Sequence, residues 1–496
     1  MNERQLYYGD NLEVLRKYFR DETIDLCYID PPFNSKRNYN QIYNNLGKED
    51  QAQAQAFIDT WTWDTRAIEG LDEICSNSRG ILTKQTIELI QGYTKVLGKG
   101  SLLAYIVSMT LRIAEIWRVL KPTGSFYLHC DPTCSHYLKL VLDAVFCGHG
   151  GDFRNEIIWH YRKWATRQAQ FVSNHDVIFF YSKTESKDRV FNQLFMERAA
   201  STLKRFGKSK IVSGYDETGK RLPSKTEVHE SEGVALDDVW DIGRVPPIKQ
   251  LYPTQKPEDL LERILQASSH EQDMILDAYC GCGTTINVAE RLKRQWKGID
   301  ITYQSISVVL KRLEESFGKE LLSKIRLNGV PQDMAAARAL AQKQDDRVRK
   351  EFEKWAVLTY TNNRAVIHEK KGGDKGIDGI AFVQETADGY KQVILSVKSG
   401  QLQPAMVRDL RGTIEREQAA MGILLTLEPP SRGIIQEAKE AGFYRNPLMT
   451  GQAFEKLQVV TVEDLLAGKR LMLPMTHEVL KKAKSQVRGG QDELFE

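Results

Sequence analysis

From residue 1 to about 320 the chain alternates short apolar runs with amphipathic stretches, and this rhythm limits the available folds more than any other feature. Ile24 to Ile29, Ser125 to Leu128, Val177 to Tyr181 and Met274 to Ala278 are runs of four to six residues with the content of buried strands. Between them lie stretches of helical pattern, including Met109 to Leu120, Ser135 to Phe146 and Pro257 to Ala267. Strands and helices alternating at these lengths predict an α/β fold around a largely parallel sheet. Ligands of such sheets bind at the carboxyl ends of the strands, so the residues that leave those ends come first in any search for function.

The rhythm breaks twice. Residues 184–245 are polar and rich in Lys, Ser, Gly and Glu, which reads as an insertion into a domain covering residues 1–320. Residues 321–348 end in an Ala- and Gln-rich stretch without a lasting apolar stripe, and read as a helical linker. A second strand-and-helix region covers 349–462, and 463–496 is expected to be a frayed tail. At about 150 residues per domain, 496 residues leave room for these units. A chain 41% hydrophobic and 27% charged can bury such cores without disulfides. Its apolar runs fall short of the ~18 residues of a membrane span, and MNERQLYYGD is not a signal peptide. Disordered, collagen-like, membrane and disulfide-scaffold classes are thereby excluded. The seven cysteines, several inside apolar runs, read as buried free thiols of a cytoplasmic protein.

The net charge of +3 decides little, but its distribution is uneven. Between Arg154 and Thr226 fifteen basic residues face seven acidic ones. Such an excess suits a surface that meets phosphates, and suits a merely solvated basic face as well.

Two motifs carry chemistry. Asp30-Pro31-Pro32-Phe33 follows the run Ile24 to Ile29, which puts the aspartate at a strand's carboxyl end. The prolines fix the loop. A carboxylate, a fixed carbonyl and an aromatic ring together suit the exocyclic amine of a nucleobase, whereas the plain alternative is a capped turn. The second motif is Leu276-Asp277-Ala278-Tyr279-Cys280-Gly281-Cys282-Gly283-Thr284-Thr285, an apolar strand leading through Gly-x-Gly into a helix. Ile286 stands where a dinucleotide fingerprint has its third glycine. Asp300 ends the next strand-like run at the distance where an acid holds a ribose diol. The combination favours a nucleoside-type cofactor without a pyrophosphate. The segment His129 to His136, HCDPTCSH, has the look of a metal cluster, but Asp131 as an N-cap with Pro132 in the first turn is the simpler reading.

Residues 1–320 resemble the β class of amino-methylating, S-adenosylmethionine-dependent DNA methyltransferases. DPPF is similar to the family's catalytic motif and DAYCGCGTT to its cofactor loop, in the permuted order of that class. Gly9-Asp10, the stretch from Arg118 to Phe146, FRNEIIW and YPTQKP agree with it. The resemblance implies a circularly permuted Rossmann-like domain with an inserted target-recognition region. It implies that Asp30 and the Pro31 carbonyl, with Pro32 in the motif, accept from the target amine, and that Phe33 stacks on the flipped base. Asp277, Cys280, Gly281, Gly283 and Thr284 would line the cofactor, Asp300 its ribose and Asp10 its adenine amine, with Thr254, Gln255 and Lys256 closing over its carboxylate end. Lys204, Arg205, Lys208 and Lys210 of the insertion would meet phosphates of double-stranded DNA. The family's adenine enzymes carry Asp or Asn before Pro-Pro and its cytosine-N4 enzymes Ser, so Asp30 favours adenine N6. A homodimer is also implied.

Residues 349–462 resemble a smaller α/β domain, the PD-(D/E)xK restriction endonucleases of the Mrr-like branch. Gly376-Ile377-Asp378-Gly379-Ile380 opens one strand, Val393 to Lys398 forms the next, and Glu353 lies on the preceding helix. In that resemblance Asp378 would hold Mg²⁺ and Lys398 would orient a water. Ser396 departs from the pattern, because a hydroxyl is a weak neutral ligand where a carboxylate is expected. Cleavage of DNA and binding without cleavage both remain open. So do restriction-modification, phage defence and a DNA-binding defence role in which methylation is secondary.

Overall fold

The computed structural model describes residues 3–32, 38–41, 54–58, 61, 63–162, 171–198, 200–212, 214, 217–218, 220, 222, 224–246, 250, 255–342, 346–362, 364–367, 376–385, 390–448 and 452–471. Phe33 and Thr254 lie outside the described residues.

A nine-stranded sheet organises the first two thirds. Its strands are β1 (Arg4–Tyr8), β2 (Ile24–Ile29), β3 (Leu120–Cys130), β4 (Asp152–His160), β5 (His175–Ser182), β6 (Val239–Asp241), β7 (Met274–Asp277), β8 (Gln295–Asp300) and β9 (Arg326–Asn328). Their order across the sheet is β6-β4-β5-β3-β2-β7-β8-β1-β9. Only β5 runs against the others, so the largely parallel sheet expected from the rhythm is present. Side chains alternate with period two: Leu6, Tyr8, Leu26 and Tyr28 enter the core on one face, and Tyr7, Cys27 and Ile29 the core on the other. Helix α1 (Asn11–Tyr18) follows β1, and α2 (Ser101–Val119), apolar for most of its length, is buried against the second face.

Three boundaries differ from expectation. The stretch 321–348 contributes edge strand β9 and a helix, Met334–Ala341, with Ala337, Leu340 and Ala341 buried. Alanines on a helix face can pack closely on a neighbouring core, which a search for bulky apolar residues overlooks. The insertion 184–245 returns β6, with Trp240 buried, to the main sheet. The expected tail begins inside a helix, Val462–Leu466, closed by a Thr461–Asp464 capping box.

The second sheet holds β10 (Ala365–Ile367), β11 (Gly379–Gln384), β12 (Tyr390–Lys398), β13 (Met421–Thr426) and β14 (Leu457–Thr461), in that order. Its first two pairings are antiparallel and the last two parallel. Among the described residues no helix is long and apolar enough to cross a membrane.

Candidate active site

β2 and β7 are parallel neighbours at the centre of the first sheet, with Leu26 opposite Ile275 and Cys27 opposite Leu276. Asp30 follows β2 and Asp277 ends β7, so both carboxylates leave the sheet at one edge. β8 lies beyond β7 and ends in Asp300. Asp30 is thus brought by strand pairing beside two acids that lie far along the chain, Asp277 and Asp300.

The glycine loop joins β7 to helix α3 (Thr284–Arg291). Gly281 and Gly283 have φ of 48° and 73°, which favours glycine. A Cβ on Gly283 would come within 2.9 Å of Val309. The Gly281 N–H donates to Asp300 Oδ2 at 2.9 Å, and Thr302 N–H to Oδ1 at 2.9 Å. Asp300 therefore ties the loop to the adjacent strand. Ile286, in place of the third glycine, packs on Gly298 of β8, where a Cβ would meet Ile286 Cδ1 at 2.3 Å. The close approach of helix and sheet is kept, with the glycine supplied by the strand instead.

Burial governs the electrostatics. The Asp277 carboxyl is pushed up to about 7 by burial, with Asp30 and Asp300 adding to the rise and Thr285 and the Tyr279 N–H opposing it. Burial likewise pushes Asp300 up to about 6, against hydrogen bonds from Thr302 and Gly281. An edge where three acids converge favours a positively charged ligand. Lys256 supplies one cation itself, because its ammonium pairs with Asp30 Oδ2. Asp30 Oδ1 is buried without a hydrogen-bond partner among the described residues. Pro31 is buried beside it and Pro32 is half-buried.

Other expected residues have further engagements. Asp10 Oδ1 caps α1 by accepting from Leu12 N–H at 2.9 Å, and Oδ2 pairs with Arg112 at 2.8 Å. Thr284 Oγ1 accepts from Arg312 at 3.1 Å, inside the protein. The Cys280 thiol is buried in the core, and burial pushes it well above the usual thiol range. Gln255 is half-buried next to Lys256. Lys204, Arg205, Lys208 and Lys210 are all exposed, on a short helix (Ala200–Phe206) and the turn and strand after it.

Several groups carry no local signal in the sequence. Arg112, on α2, also donates to Asn11 Oδ1 at 2.6 Å, and Asn11 donates to the Ala278 carbonyl at 2.8 Å, linking α1 to the glycine loop. His129 is fully buried between Tyr28 Oη at 3.0 Å and Asp176 at 3.2 Å. Asp176 also accepts from Tyr161 at 2.9 Å, and despite its burial these partners hold its carboxyl down at about 2. His129 is thus engaged by a tyrosine and an acid. Asp131 caps the turn at Thr133, at 3.0 Å, and the helix itself begins later, at Ser135.

In the second domain, Asp378 precedes β11 and its Oδ2 accepts from Val397 N–H at 2.6 Å. Ser396 Oγ, buried, donates to the same oxygen at 3.4 Å. Glu353, on helix α5 (Asp346–Tyr360), is pushed up to about 7 by burial and by Asp378, against Lys350, Lys398 and Arg349. Asp378 and Lys398 thus lie near enough to Glu353 to act on its charge. The glycine after Asp378 lets the strand approach the helix closely, since a Cβ on Gly379 would lie 2.6 Å from Val357 of α5. Among the described residues no group of three potential metal ligands is present. With Ser396 donating to Asp378, this donor set does not fit Mg²⁺, which prefers several carboxylates.

Residues 24–311 match the model of the N6/N4 DNA methylases. Residues 348–467 match the NACHT-associated inactive restriction endonuclease 1 domain. The type II methyltransferase M2.LlaDCHI of Lactococcus lactis subsp. cremoris is 41% identical over 62% of this chain and 89% of its own length. The DNA adenine methyltransferase YhdJ of Escherichia coli is 26% identical over 65% and 87%. For M.HpaI of Haemophilus parainfluenzae the values are 28%, 45% and 64%, so the chain spans just under two thirds of that relative. A solved complex of M1.HpyAVI with S-adenosylmethionine is 15% identical, with a TM-score of 0.35 over 62% of this chain and 98% of that one. S-adenosylmethionine fits the site: its sulfonium and ammonium are cations that suit a strand edge with the buried Asp277 carboxyl, and its bulk suits the bare glycine loop. With the first match covering more than half of its residues, the chain belongs to the N6/N4 DNA methylase family and carries a restriction-endonuclease-like domain at its C-terminal end.

Proposed function

We propose that the protein transfers a methyl group from S-adenosylmethionine to the N6 amine of adenine within a specific sequence of double-stranded DNA, and that its C-terminal domain binds DNA without cutting it. The observation that carries the first part is Asp30 Oδ1, a buried acceptor without a described partner, beside the carboxylate that faces a cationic cofactor. S-adenosylmethionine supplies an electrophilic methyl on a sulfonium. The protein's task is then positioning. Asp30 Oδ1 and the Pro31 carbonyl accept the two amine hydrogens, which turns the nitrogen lone pair toward Asp277 and the glycine loop. Lys256 pairs with Asp30 Oδ2, which leaves Oδ1 to accept from the amine. Phe33 stacks on the flipped base, Asp300 holds the ribose and Asp10 the adenine amine. Gln255, Lys256 and Thr254 close the site. Asp30 rather than Ser before Pro-Pro supports adenine over cytosine, and the adenine specificity in the name of the YhdJ relative agrees.

The chemistry at Ser396 and Asp378 supports the second part. The exposed Lys204, Arg205, Lys208 and Lys210 suit phosphate contacts that hold the duplex while the insertion reads its sequence. Incubation of the protein with mixed-sequence DNA and labelled S-adenosylmethionine, followed by nucleoside analysis, tests the reading. Label in N6-methyladenine is expected. Label in N4-methylcytosine overturns the base assignment, and absence of label overturns the activity.

A further inference from the structure

The restriction-endonuclease-like domain does not hang from the methyltransferase by a linker. Its first helix, α5, packs directly on helix α4 (Tyr303–Phe317), which follows Asp300 and itself packs on β1. Leu6, Tyr8, Ile306, Val309 and Leu313 share one buried core with Phe352 and Trp355. An apolar contact of this kind resists relative motion of two domains.

At the rim of this contact stands Glu351, only 13% exposed. One of its oxygens, Oε2, accepts from the Tyr303 N–H at 3.2 Å and from Tyr8 Oη at 3.3 Å, while Lys354 neutralises the other at 2.9 Å. Both donors border the cofactor acids. Tyr8 pairs with Asp300 in the sheet and precedes Gly9-Asp10, and Tyr303 opens the helix that Asp300 and Thr302 begin. The two tyrosine rings meet edge to face at 6.3 Å, and Tyr303 Oη lies 3.1 Å from Thr359 Oγ1 of α5. The first-turn amides of a helix need acceptors. Thr302 serves the Ser305 N–H at 3.2 Å, and the Tyr303 N–H is served from the other domain.

We infer that Glu351 is a positioning residue of the methyltransferase: from the restriction-endonuclease-like domain it holds the ends of β1 and β8, through Tyr8 and Tyr303, in the geometry that binds S-adenosylmethionine. This rests on the cofactor site proposed above. Glu353 lies two positions further, about 200° around the same helix, and faces Asp378. One helix thus bears on both the cofactor rim and the cleft of the second domain, which gives a nuclease-like domain unsuited to Mg²⁺ a part in methylation.

The test uses full-length protein and reads KM and kcat with S-adenosylmethionine and duplex DNA varied separately, plus calorimetric binding of S-adenosylmethionine. Glu351→Ala is expected to raise the Kd and KM for S-adenosylmethionine about 5- to 10-fold, the worth of a charge-assisted hydrogen bond, with kcat and the KM for DNA unchanged. Glu351→Gln keeps an acceptor for the Tyr303 N–H and is expected to recover most of the loss. Tyr8→Phe removes one hydroxyl and is expected to raise the same constants by a smaller factor. It serves as the reporting variant if Glu351→Ala does not fold. Unchanged affinity in the variants, a loss confined to kcat, or glutamine no better than alanine overturns the inference. Failure of the wild type to bind S-adenosylmethionine instead overturns the proposed cofactor site, so the two failures are distinct.

Discussion

Asp30 and Asp277 leave neighbouring parallel strands at the same edge of the sheet, and the charge of Asp30 is one of the causes that hold the Asp277 carboxyl near 7. The same edge receives Asp300 and the ammonium of Lys256. A cationic cofactor relieves this crowding of acids, so its binding is linked to protons.

Binding of S-adenosylmethionine is therefore expected to tighten as pH rises from 6 to 8, with proton release. The folded pKa of Asp277 stands at about 7, above the ordinary 3.8. Between those values the unliganded folded state binds more protons than the unfolded one. The contribution of Asp277 to stability is then full below the unfolded value and is lost as pH rises through about 7. Calorimetry in buffers of different ionisation enthalpy checks the release. Asp277→Asn is expected to flatten the pH dependence, weaken binding and raise the melting temperature of the unliganded protein at pH 8.

Asp30→Ala is expected to lower kcat at least about 100-fold, as for the loss of one preorganised catalytic partner, while calorimetry still detects cofactor binding. Retention of more than a tenth of the wild-type rate counts against the role of Asp30.

Replacing Lys204, Arg205, Lys208 and Lys210 together by Ala is expected to raise the KM for DNA with kcat unchanged. The slope of log affinity against log salt should fall by about 0.9 per lost phosphate contact. An unchanged slope means that this exposed surface does not meet the backbone.

Plasmid incubated with the wild type and Mg²⁺ or Mn²⁺ is expected to stay uncut, methylated or not. Lys398→Ala is expected to weaken DNA binding and reduce the salt slope by about one contact. Metal-dependent nicking that is lost in Asp378→Asn would overturn the non-cleaving assignment.

Gly298→Ala is expected to cost about 1–3 kcal/mol by overpacking, since its Cβ would lie 2.3 Å from Ile286 Cδ1. Denaturant unfolding measures the loss, and Ile286→Val in the same chain should recover part of it. Full additivity of the two changes would show that the contact is not shared.

The alternation of apolar runs and helical patterns determined by itself the parallel sheet, and with it the strand ends where Asp30, Asp277 and Asp300 stand. Those features are local: a strand's period, a Pro-Pro turn and a glycine loop are each written within about ten consecutive residues. The departure at Ser396 was legible for the same reason. Tertiary structure decided everything that depends on distant partners. Asp30 meets Lys256 across 226 positions and Asp10 meets Arg112 across 102. Neither pair has a periodic or spacing signal, because charged side chains meet wherever the packed elements bring them. Burial, a property of the assembled fold, set the carboxyls of Asp277 and Asp300. It also moved the missing glycine of the loop to Gly298, on another strand, and packed Val357 of α5 against Gly379. The docking of Glu351 on Tyr303 belongs to the same class: only the packing of two apolar faces puts an acid of one domain against the backbone of the other.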